Sequence, residues 1–178
     1  MTLAELFAIA DGSELAGIEA LRRHPHLATA VEVAGDYQQG EAAPALVHAA
    51  HRGQGGLVEA VLDLGGAIDC RGLGGGTALH VASWCGHAET VRVLIARGAP
   101  LDLLCEAFGA TPLGWAAHGF GPDGCFPKRD HCGAAVALLD AGADPEIPNA
   151  AGERPIDLVA SPVGNPMRRL LERHGSTV

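Results

Sequence analysis

Aromatic residues are scarce, 4% of the 178 positions. A β-sandwich or barrel draws on Val, Ile, Thr, Tyr and Phe for its pleated surfaces, so this shortage argues against one. Basic residues are also few, 12 against 21 acidic, for a formal net charge of −9. A phosphate backbone is repelled by that field, and nucleic acid is not an expected partner. No uninterrupted apolar run reaches the length of a membrane span. The five cysteines, Cys70, Cys85, Cys105, Cys125 and Cys132, form an odd set without a CxxC pair. The amino-terminal stretch MTLAELFAIADGSELAG has no basic segment ahead of an apolar run, so no secretory signal is read there. Reduced thiols and a cytoplasmic location are the matching expectation.

Ala, Leu and Val carry the bulk of the 48% hydrophobic content and Gly adds 25 residues beside it, a composition suited to small helices in close contact. The chain also repeats. Pro44-Ala45-Leu46 aligns with Thr77-Ala78-Leu79 at an offset of 33, which sets Ala49 on Ala82, Gly53 on Gly86, Val58 on Val91, Leu62 on Ile95 and Gly65 on Gly98. Another unit begins 34 residues later at Thr111-Pro112-Leu113 and closes with Leu138 to Asp144. A further start is Gly152 to Leu158.

Each unit has a physical logic. Thr77 is placed to cap a helix whose apolar residues are Leu79, Val81 and Ala82, with the small Ala82 allowing close helix approach. Gly86 ends that helix. Val91, Leu94 and Ile95 give the i, i+3, i+4 stripe of a second helix, closed by Gly98. One such pair cannot bury both faces, so the units must stack.

These residues resemble the ankyrin repeat, whose usual pattern is G-x-TPLHxAAxxGHxEVVxxLLxxGAD; the third unit reads TALHVASWCGHAETVRVLIARGAP. The resemblance covers roughly residues 40–160 and implies an all-α solenoid of about five stacked helix-turn-helix units in a single domain, 1–178. Residues 1–28 form the N-terminal cap, 44–75, 76–108 and 109–150 the central repeats, and 151–178 the C-terminal cap. The fourth unit departs from the pattern: about ten residues, rich in Gly and Pro, are inserted after His118-Gly119. The connector Thr29 to Ala43 is also long. Long loops on a rigid stack are where function tends to sit.

The resemblance further implies that the first helix of each unit lines a concave groove at three positions, counted plus four, plus seven and plus eight from the threonine position. These are His48, His51 and Arg52, then Val81, Trp84 and Cys85, then Trp115, His118 and Gly119. Both tryptophans fall on this surface, so a preformed groove with aromatic anchors and a polar rim is expected. Its ligand-binding residues are His48, His51, Arg52, Trp84, Cys85, Trp115, His118, Phe120 and Phe126, and its partner is a protein segment or small molecule bound by a monomer, with no membrane involved. His80 and His87 match family positions that hydrogen-bond backbone between units.

The alternative is chemistry in the same groove. Cys85 beside His51 or His118 would suit a cysteine-dependent, hydrolase-like site. His48, His51, His118, Cys125, His131 and Cys132 offer nitrogen and sulfur ligands for a zinc-like ion. No HExxH or other diagnostic spacing supports that ion, so no cofactor is expected.

Overall fold

The computed structural model describes residues 1–32, 43–120, 129–159 and 165–175. Helices α1 (Leu3–Gly12), α2 (Glu14–Arg23), α3 (Ala45–Arg52), α4 (Gly55–Asp63), α5 (Ala78–Trp84), α6 (Ala88–Ala96), α7 (Pro112–Gly119), α8 (His131–Asp140) and α9 (Pro166–Gly175) are stacked in two layers. Helices α3, α5 and α7 pack side by side in one layer, and α2, α4, α6, α8 and α9 form the other. Each first helix also packs on the second helix of its own unit. This is the all-α solenoid that the repeats predict. One feature is additional: β1 (Val31–Glu32) pairs antiparallel with β2 (Ala43–Pro44), with Val31 opposite Pro44.

The helices start where side chains satisfy the orphan N–H groups of the first turn. Thr2 and Glu5 form a reciprocal capping box at α1: Glu5 N–H donates to Thr2 Oγ1 at 3.2 Å, and Thr2 N–H to Glu5 Oε2 at 2.9 Å. Thr111 accepts from Gly114 N–H at 3.2 Å, with Pro112 supplying the preset φ of the first helical position. Asp130 caps α8 through Gly133 N–H at 2.7 Å.

Side-chain size then sets the spacing of the layers. Ala49, Ala82 and Ala116 occupy equivalent positions on α3, α5 and α7 and are wholly buried, so these helices approach closely. Leu46, Leu79 and Leu113 fill the interval beneath them, and Val61, Leu94 and Leu138 bury the second helices. Each such aliphatic side chain contributes ~1.5–3 kcal/mol by leaving water. The amino-terminal helix meets α3 through bulkier groups. The Phe7 and His48 rings lie 5.4 Å apart, and the Arg52 guanidinium sits 4.4 Å above the Phe7 ring while its Nε donates to Asp11 at 3.2 Å.

Between the paired helices the chain reverses at Gly53 and Gly86, both at positive φ (72° and 67°). Gly86 is constrained twice over, because a Cβ there would lie 2.8 Å from Arg129 Cβ and 3.0 Å from the His131 ring.

Candidate functional site

From each unit an irregular finger leads to the next: one between α4 and α5, one between α6 and α7, one after α8. Backbone hydrogen bonds tie the tips together, from Ala107 N–H to Gly74 O at 3.0 Å and from Ala150 N–H to Phe108 O at 2.9 Å. The first finger is tightened by an Arg71–Thr77 bridge. Arg71 also donates to Leu104 O at 3.1 Å, and its Nε lies 3.6 Å from Glu106 Oε1.

Under these fingers lies a second apolar cluster, apart from the main core, built from Ala43, Val47, Val81, Cys85, Cys105, Ala110 and Trp115. Trp115 is its centre. Its Nε1–H donates to Cys105 Sγ at 3.3 Å. Among the described residues three rings meet it in tilted or edge-on contacts: His80 at 5.5 Å, Trp84 at 6.1 Å and Phe108 at 6.2 Å between centroids. Glycines make room for the indole, Gly74 and Gly76 standing where a Cβ would be 3.7 and 3.3 Å from Trp115 Cη2.

The nine positions expected on an open groove therefore divide. His51, Arg52 and Trp84 are half-buried and His118 is exposed. His48, Val81, Cys85, Trp115 and Gly119 are buried, because α1, the fingers and the neighbouring helices cover them. Trp115 is 6% exposed and Cys85 only 1%. Trp115 is thus a support and Trp84 the more accessible of the two indoles. The residue that spacing did not single out is Phe108, 60% exposed at the tip of the second finger and in contact with Trp115. Its signal was available: it stands three residues before Thr111, where a finger turns back into a helix. Leu104 on the same finger is 43% exposed. Phe120 is half-buried and packs against the main core, whereas Phe126 and Cys125 lie outside the described residues.

Histidines do structural work between units. Thr77 N–H donates to His80 Nδ1 at 3.1 Å, which places the proton on Nε2; that nitrogen then donates to Ala110 O at 3.1 Å. Burial holds His80 down at about 4, against the opposing pull of its bond to Ala110. His87 Nε2 reaches His51 O at 3.0 Å, and its Nδ1 faces Arg129 at 3.4 Å. Burial, and to a lesser degree the Arg129 charge, bring His87 to about 4 as well. His51 is lowered by burial, then by His48 and Arg129. His131 repeats the His87 arrangement, its Nε2 lying 2.9 Å from Trp84 O. The insertion hides that equivalence when one counts forward from Thr111. Counting back from the closing glycines reveals it, since His131 precedes Gly142 as His87 precedes Gly98, by eleven residues.

These placements bear on the chemical alternative. His131 is committed to a backbone carbonyl, His48 and Cys85 are buried, and burial followed by the Asp130 charge raises the half-buried Cys132 thiol. Among the described residues no group of three or more His, Cys, Asp or Glu side chains is placed to hold a metal ion. Nor is any helix among them long and apolar enough to cross a membrane.

Comparison with known proteins follows the same lines. The family described as ankyrin repeats (3 copies) matches residues 18–104 and 46–149. Protein PhlB of Serratia liquefaciens is 33% identical over 103 residues, which cover 58% of this chain and 41% of PhlB. Palmitoyltransferase Hip14 of Drosophila melanogaster is 36% identical over 76 residues, 43% of this chain and 10% of that protein. Ankyrin repeat domain-containing protein 29 of Danio rerio is 43% identical over 65 residues, 36% of this chain and 22% of its own length. The chain spans well under two thirds of each of these relatives.

Proposed function

Because this chain belongs to the ankyrin repeat family, we propose that it is a non-catalytic recognition module whose contact surface runs from the end of α5 over the finger tips. Ankyrin repeats generally mediate protein binding. A protein segment is the partner this reading favours, and the inner-helix residues His51, Arg52 and His118 extend its polar rim. The observation that carries the proposal is Phe108: a large apolar side chain 60% exposed, yet held in place by Trp115 and the backbone bonds of both neighbouring fingers. Exposed aromatic rings fixed on a rigid support lose little entropy when a partner covers them. Trp84, half-buried and 6.1 Å from Trp115, continues the same aromatic strip.

The experiment is capture of partners from native lysate by the wild-type chain, Phe108→Ser and Trp84→Ala in parallel. Loss of a partner by either variant, with an unchanged unfolding midpoint for Phe108→Ser, supports this surface. A partner retained by both variants and lost by His51→Ala or His118→Ala would move recognition to the inner helices.

A further inference from the structure

We propose that the finger surface selects a cationic segment, one that offers a Lys or Arg side chain to the Phe108–Trp84 strip beside an aliphatic residue. This rests on the recognition reading above and names its partner's chemistry. Three observations converge. Residues 67–76, 100–110 and 144–153, the tips of the three fingers, hold six carboxylates; Arg154, directly after the third tip, pairs with Glu146 at 3.0 Å, and the one base within these spans is Arg71. That arginine is already engaged, with Glu106 and with the carbonyls of Gly75 and Leu104.

Second, the carboxylates flank the aromatic tip itself. Glu106 is on the same finger as Phe108 and exposed. Glu153, also exposed, belongs to the Asn149–Glu153 turn: Asn149 N–H donates to its carbonyl at 2.8 Å and Asn149 Nδ2 to its carboxylate at 3.0 Å. The next residue, Ala150, is bonded to Phe108 O. Phe108 is thus two residues from Glu106 and is bonded through its carbonyl to the turn that carries Glu153. Third, Phe108 and Leu104 supply exposed apolar area beside these charges. An ammonium or guanidinium group at an aromatic face gains from the ring quadrupole, and neighbouring carboxylates add a Coulombic attraction. The aliphatic stem of the same side chain covers the apolar part. A second copy of this chain is a poor occupant, since its own acidic tips would meet these.

The test uses the whole protein and two synthetic peptides with identical leucines, one carrying lysines and the other acetyl-lysines at the same places. Calorimetric titration of the lysine peptide should give an affinity about tenfold above that of the acetylated one, falling as salt is raised. Phe108→Ser and the pair Glu106→Gln with Glu153→Gln should each weaken the lysine peptide several-fold. Asp140→Asn, which removes one charge from the far end of α8, should leave it unchanged. Weakening by Asp140→Asn equal to that from Phe108→Ser would show diffuse attraction to an acidic chain and overturn the inference. So would equal binding of both peptides; if Phe108→Ser then abolished both, the surface would stand as a recognition site without a charge preference. Binding of neither peptide also overturns the cationic preference, and the lysate capture decides the recognition reading by itself.

Discussion

Acid should loosen this stack, and His80 gives the effect a size. In the fold His80 is wholly buried, accepts Thr77 N–H at Nδ1 and donates from Nε2 to Ala110 O, so both ring nitrogens are used by the neutral form. A second proton would remove the acceptor and leave a buried cation near Arg71, whose charge also disfavours it. The imidazole titrates at about 4 in the fold against an ordinary 6.5. The unfolded chain therefore binds more protons below the ordinary value. The stabilisation is complete above 6.5 and is lost as the pH falls from there towards 4. Across the whole window one group is worth ~3 kcal/mol, most of it lost between pH 7.5 and pH 4.5. With a urea slope of ~2 kcal/mol per molar, the unfolding midpoint should fall by about 1 M. The assay is urea unfolding followed by far-UV circular dichroism at the two pH values, for wild type and for His80→Gln. Glutamine keeps a donor for Ala110 but does not titrate, so the share of the acid loss that belongs to His80 should vanish in the variant even though it starts less stable. An equal loss in both proteins would refute the assignment. His87, also at about 4, should add an acid loss to both proteins alike, though a smaller one because its ring is partly in water.

Other outcomes follow from contacts at single residues. Trp115→Ala removes the centre of the finger cluster and should cost ~3–5 kcal/mol in urea unfolding, whereas Phe108→Ser should stay within ~0.5 kcal/mol of wild type. Gly119→Ala places a methyl against the Trp84 carbonyl and the His131 ring, and a loss of ~1–3 kcal/mol is expected by thermal unfolding. Gly12→Ala, at the end of α1 where a Cβ would meet nothing, should be neutral or gain up to ~1 kcal/mol in the same scan. Arg52→Ala loses both the Phe7 stacking and the Asp11 pair, and amide exchange in α1 should rise ahead of global unfolding.

The repeat architecture was legible in the sequence because its determinants are local and periodic. The 33-residue offset, the alanines at 49, 82 and 116 and the turn glycines each act within one unit or on the next, so one copy predicts its neighbours. The roles of His80 and His87 were legible for the same reason, and both rings reach carbonyls of an adjoining unit. The surface was less legible. Helical spacing puts Trp84, Cys85 and Trp115 on one side of their helices, but it cannot say how far a finger from another unit folds back over that side. Trp115 is buried where Gly74 and Gly76 of the first finger and Cys105 of the second pack against it, and Cys85 is buried in the same cluster. Phe108 is exposed at a finger tip that backbone bonds from Ala107 to Gly74 and from Ala150 to Phe108 hold in place. Which side chains exist, and which face of a helix they occupy, the sequence determined by itself. Which of them still meet solvent depended on distant segments packing above them, and only the tertiary structure decided that.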